Sequence, residues 1–136
     1  MRRVASFAAQ AGITLVVEPH NHGGFLSTSQ ATLRMIRQVG SPWVRVNLDT
    51  GNFEETDPYR GIAACLPYAP HVVAKILRLS PKGEELTLDY HKIFQMLKRH
   101  RYHGFVTIEY EAPQDELTYV PRAVAMLRRL ARAYDL

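Results

Sequence analysis

Apolar positions along the chain alternate between helical and strand spacing, and the switches divide it into nine elements. Val4, Phe7, Ala8 and Ala11 recur at helical spacing, and Gly12 is a natural stop. "ITLVVE" follows, apolar on both faces, as in a parallel strand covered on both sides. "LSTSQATLRMIRQVG" predicts a helix capped by Ser27 or Ser29, with Leu33, Ile36 and Val39 inward and Gly40 as its end. Pro42 precedes "WVRVNLD", a second strand. Asp57-Pro58 then opens a helix carrying Ile62, Ala63 and Leu66, which breaks by Pro67 or Pro70. "HVVAKIL" predicts the third strand, ending near Lys75. "LDYHKIFQMLKRHRYHG" predicts a helix with Ile93, Phe94 and Leu97 inward and Gly104 as stop. "FVTIE" is the fourth strand, and Tyr119 to Tyr134 a last helix striped by Val120, Val124, Leu127, Leu130 and Ala131. Strict alternation of helix and strand predicts an α/β fold with a parallel sheet and right-handed crossovers.

Composition narrows the class. With 136 residues and 46% hydrophobic content, the chain is expected to form one ordered domain spanning 1–136. The net charge is a modest +4, and many of the positive residues lie late, in Lys98 to Arg101 and at Arg122, Arg128, Arg129 and Arg132. No aromatics interleave with these arginines, so they read as a solvated helix face and not as a nucleic-acid platform. Cys65 is the only cysteine and excludes an intrachain disulfide. It reads as a buried, inert thiol, and with it a reducing, cytoplasmic location is expected. No apolar run is long enough to span a membrane. The start, "MRRVASFAAQAG", is broken by Ser6 and Gln10 and reads as an amphipathic helix, not a signal peptide.

Candidate chemistry sits at the strand ends. Glu18, Asp49 and Glu109 each close a predicted strand, and in a parallel sheet these ends share one edge, where α/β folds place their sites. Clustered carboxylates repel unless a cation or proton lies among them, and a divalent metal accepts oxygen ligands in this number. Separate solvated loop acids are the alternative reading. Each acid also has a local one: Glu18 capping backbone amides, Asp49 forming an Asx turn with Gly51 and Asn52. Glu111 would share the facing of Glu109 if the strand continued, but reads as an exposed loop residue. His22, in a glycine-flanked turn, reads as surface.

Three blocks carry a family resemblance: "GITLVVEPHNHGG", "VGSPWVRVNLDTGNF" and "HGFVTIEYE". In this order they resemble the xylose isomerase-like TIM barrels, the sugar phosphate isomerase/epimerase group. The resemblance spans nearly the whole chain and matches the C-terminal half of the family's eight-stranded barrel, four strands of it. It implies a divalent metal (Mn, Mg, Co or Zn) held by Glu18, Asp49 and Glu109. It implies Glu18 and Glu109 as the acid/base pair that takes and returns a proton through an enediolate. Lys75 would stabilise the enediolate oxygen or position the substrate, and His20 and Asn52 would hold hydroxyls of a sugar or polyol.

Two positions depart from the family pattern. The family's third ligand, a histidine two residues before the lysine, is here Val73; His71 lies two residues deeper, about 6.6 Å along the strand, and is retained as a weak metal candidate. The histidine that often stands three residues after the aspartate is Asn52, which hydrogen-bonds but is no acid or base near neutral pH. A full barrel needs about 250 residues, so the chain is expected to be a fragment of a longer reading frame, beginning at an internal methionine. The alternatives are a homodimer of half-barrels or a separate chain supplying the missing N-terminal half. Rival functions are a non-catalytic or truncated sugar-binding half-barrel and a metal-dependent, endonuclease-like hydrolase. The second wants more strand-end histidines than this chain offers.

Overall fold

The computed structural model describes residues 1–136. The elements run α1 (Arg2–Ala11), β1 (Leu15–Val17), α2 (Ser29–Val39), β2 (Val44–Asp49), α3 (Pro58–Cys65), β3 (His71–Ile76), α4 (Tyr90–Arg99), β4 (Phe105–Tyr110) and α5 (Glu116–Ala133), with a 3-10 turn over Leu66–Tyr68. All strand pairs are parallel, and the spatial order β1-β2-β3-β4 equals the chain order. Right-handed crossovers between sequential neighbours put every helix on the same side of the sheet. The result is an arc of a barrel, not a sheet wound on both faces.

Strand alternation separates the two faces. Val44, Val46, Leu48, Val72, Ala74 and Ile76 point outward and join the buried core with Leu33, Ile36, Ile62, Ile93, Phe94, Leu97, Met126 and Leu130 from the helices. The opposite parity carries Val16, Arg45, Asn47, Asp49, His71, Val73, Lys75, Thr107 and Glu109 on the concave side. No helix covers that side, so the expectation of β1 covered on both faces fails: Val16 is 42% exposed and Phe105, at the start of edge strand β4, 78%.

Helix ends follow capping chemistry. Asp57 accepts from the Tyr59 amide at 3.0 Å and Pro58 occupies the first turn, as the sequence predicts. The cap of α2 is Thr28, whose hydroxyl accepts from Ala31 N at 3.2 Å, in place of Ser27 or Ser29. Helix α4 stops at Arg99, five residues before Gly104; Gly104 instead gives clearance, since a Cβ there would meet the Pro70 carbonyl and the Tyr102 ring. Helix α5 begins earlier than Tyr119 because Asp115 caps it through Thr118 N at 2.8 Å. In α1 the buried positions are Ala5 and Ala8, while Val4 and Phe7 lie exposed at 50% and 66%. In α3 Ala63 is exposed and Cys65 buried beside Ile62. No helix is long and apolar enough to cross a membrane.

Candidate metal centre

The carboxyl ends of the strands gather the site. Glu18 follows β1, Asp49 ends β2, Lys75 lies one residue inside the end of β3 and Glu109 likewise in β4. Three strand spacings along a flat sheet would separate β1 from β4 by about 14 Å. Curvature of the arc and the reach of two glutamates close that gap: ligand oxygens of Glu18, Asp49 and Glu109 all lie within 4.8 Å of one another.

Each acid is held differently. Asp49 is wholly buried; its Oδ1 accepts from the Gly51 amide at 2.7 Å, the Asx turn the sequence allows. Its Oδ2 is buried and accepts no hydrogen bond, although the Lys75 ammonium stands at an ion-pair distance of 3.4 Å. Burial, against the Gly51 amide and Lys75, pushes the Asp49 carboxyl up to about 7. Glu18 is exposed, and two asparagines reach it: Asn47 Nδ2 donates to Oε2 at 2.5 Å and Asn52 Nδ2 to Oε1 at 3.5 Å. Asn52 is itself buried and also donates to the Pro19 carbonyl at 3.1 Å.

Lys75 is the cation of the cluster. Its side chain is 3% exposed, and Nζ lies 2.9 Å from Glu109 Oε1 and 2.9 Å from Glu111 Oε1. Burial opposes its charge, but the bonds to Glu109 and Glu111 win and hold the ammonium above the usual lysine range. Burial likewise pushes against the Glu109 carboxylate, yet the Lys75 ammonium bonded to it holds it below the usual range. Glu111 is exposed, as expected of a loop residue, but it also shares the facing of Glu109 and pairs with Lys75.

A buried network anchors the β2–β3 end. The Lys75 amide donates to Thr50 Oγ1 at 3.0 Å, the Tyr90 hydroxyl donates to the Lys75 carbonyl at 2.7 Å, and Tyr90 and Thr50 share a bond of 3.0 Å. Gly51 clears the path of the lysine stem: a Cβ there would sit 2.6 Å from Lys75 Cγ.

Other predicted residues stand apart. The His71 ligand nitrogens are not among the converging atoms; Nε2 pairs with Thr107 Oγ1 at 2.9 Å on the concave face. His20 is exposed, with Nδ1 3.3 Å from the Asn21 carbonyl. His22 is exposed too, in a turn pinned by Gly23 N donating to Glu54 Oε1 at 3.0 Å. Asn47 was not singled out by sequence reasoning. Its signal is parity, since "VRVNLD" places Asn47 two residues before Asp49 on the same face.

The donor set fits a divalent cation. Three carboxylate oxygens converge, one from the fully buried Asp49, and one oxygen of that side chain, Oδ2, has no hydrogen-bond partner. Val73 is the register partner of Asp49, so the concave position beside it carries no ligand atom.

Comparison with known proteins places this geometry. Residues 1–130 match the family described as xylose isomerase-like TIM barrel. A Mus musculus protein named "Putative hydroxypyruvate isomerase" is 28% identical over 123 residues, covering 85% of this chain and 44% of its own. The structure of an L-ribulose 3-epimerase superposes with a TM-score of 0.80 at 23% identity, over 98% of this chain and 52% of that one. A family 2 AP endonuclease from Brucella melitensis superposes at 0.72 with 28% identity, over 88% and 48%. The chain therefore spans roughly half the length of the proteins it matches (44%, 52% and 48%), and its strands form part of a TIM barrel.

Proposed function

The chain belongs to the xylose isomerase-like TIM barrel family, and from that premise we propose that it forms the ligand-bearing half of a metal-dependent sugar isomerase or epimerase. The observation that carries this reading is the convergence of Glu18, Asp49 and Glu109 within 4.8 Å from three different strands. Those three residues would hold the cation. The all-oxygen donor set favours Mn or Mg over softer metals. When bound, such an ion supplies Lewis-acid polarisation of a carbonyl.

The chain's own groups supply the rest. Glu18 and Glu109 are the two acids open to solvent, one from each end of the arc, so a substrate between them meets a proton acceptor on either side. One glutamate removes the proton next to the carbonyl and the other, protonated beforehand, delivers its own proton to the opposite face of the enediolate, which inverts that carbon; delivery to the former carbonyl carbon moves the carbonyl instead. The Asn47 and Asn52 amides hold the Glu18 carboxylate in one orientation. Lys75 supplies a positive charge to the developing oxyanion. His20 and Asn52 bind hydroxyls. Asp49, fully buried, stays out of proton transfer and serves as a ligand.

The substrate class is a small polyhydroxy carbonyl compound, a sugar or sugar phosphate, in keeping with the names of the mouse relative and the L-ribulose 3-epimerase. Four more strands complete the barrel, supplied by an N-terminal half-barrel or by a second copy. A lone unpaired cysteine suits the cytoplasm. The Brucella structure keeps a hydrolytic reading in view; the absence of any histidine from the converging ligands speaks against it.

The test is deuterium wash-in from solvent into L-ribulose and hydroxypyruvate with Mn²⁺ present, using the chain in its completed barrel. Exchange lost in both Glu18→Gln and Glu109→Gln supports the assignment. Turnover unchanged in either variant removes that residue from the acid/base pair.

A further inference from the structure

Two of the three carboxylates proposed to hold the cation already face a charge that belongs to the chain. The Lys75 ammonium lies 2.9 Å from Glu109 Oε1 and 3.4 Å from Asp49 Oδ2, and its side chain is 3% exposed. Water therefore does little to screen it, and a dication seated on the same carboxylates would be repelled by it at short range.

We propose that Lys75 is a tethered counter-ion: it neutralises the acid cluster in the metal-free chain and must release Glu109 and Asp49 when the cation binds, so that it sets the affinity of the site. The inference rests on the metal reading of the cluster.

Three features support an exchange over a permanent structural pair. Glu111, which is not among the converging ligands, holds the same ammonium at 2.9 Å from the solvent side. It offers the ammonium a resting place after release. A lysine is a compact charge on four rotatable carbons, able to swing where an arginine fork would be locked. The stem runs past Gly51, where no side chain blocks it. The exchange also explains how the buried Asp49 carboxylate is tolerated without metal, since an unpaired buried charge is strongly destabilising.

Calorimetric titration of Mn²⁺ into the wild type and Lys75→Met, in the same buffer, reads the competition. The expected result is binding tighter by at least about tenfold in Lys75→Met, with a lower melting temperature than wild type before Mn²⁺ and a larger upward shift after it. Equal or weaker binding by Lys75→Met, while the wild type binds, overturns the counter-ion role and leaves the metal reading intact. Binding by neither protein overturns both. Should Lys75→Met not fold, the wild type is read directly by reductive methylation and peptide mass spectrometry, with and without saturating Mg²⁺. Reactivity of Lys75 that rises several-fold with Mg²⁺ supports release, and unchanged protection at saturation overturns it.

Discussion

Lys75 and Glu109 are register partners on neighbouring parallel strands, and their side chains meet at 2.9 Å above the end of the sheet. The pairing follows from the β3–β4 register, which puts both residues on the concave face at the same height. A slip of one residue would turn one of them toward the helices.

Asp49 and Val73 are partners in the same sense on β2 and β3. Val73→His would place an imidazole beside a buried carboxylate oxygen that accepts no hydrogen bond. The expected outcome is Zn²⁺ or Ni²⁺ binding strengthened by about tenfold or more, since imidazole suits these ions. Calorimetry with each ion checks it. Unchanged affinity would mean the new ligand cannot reach the cluster.

Gly51→Ala tests the clearance of the lysine stem. The added carbon would meet Lys75 Cγ at 2.6 Å and Cβ at 2.9 Å, and the stem must move. We expect a loss of about 1–3 kcal/mol in urea denaturation, the range for overpacking. A substitution without effect would show that the stem has room to spare.

Tyr90→Phe removes the hydroxyl that bonds the Lys75 carbonyl and pairs with Thr50. The Tyr90 side chain is buried, so the abandoned groups gain no water. The expected cost is about 1–3 kcal/mol for unsatisfied buried polar groups, measured by denaturant unfolding. Thr50→Val in the same background should then cost less than it does alone, because the two residues share one network.

Asp49 gives the metal-free chain a pH signature. Its folded-state value of about 7 lies above its ordinary value, so the native state holds this proton longer than the unfolded chain. Its contribution to stability therefore falls as pH rises from the ordinary carboxylate range to about 7. Glu109 is shifted the other way, and its contribution is lost only as pH falls through the acid range. Urea midpoints without divalent ions should drop between about pH 5 and pH 7 in the wild type, and Asp49→Asn should flatten that fall. Parallel profiles in the two proteins would exclude Asp49 as its source.

Much of this was legible in the residues themselves. The helix and strand spacings, the caps at Asp57 and Gly12, and acids at three strand ends are local features, governed by backbone periodicity and turn chemistry within a few positions. They led to a parallel α/β sheet with its site at one edge. The chain order could not show that the concave face stays bare, which depends on all crossovers packing to one side. Nor could it show that Lys75 binds Glu109 and Glu111 together, that Asn47 holds Glu18, or that His71 turns to Thr107. Those pairings join residues 29 to 36 positions apart. Register and sheet curvature determine them, and both arise only when the strands assemble.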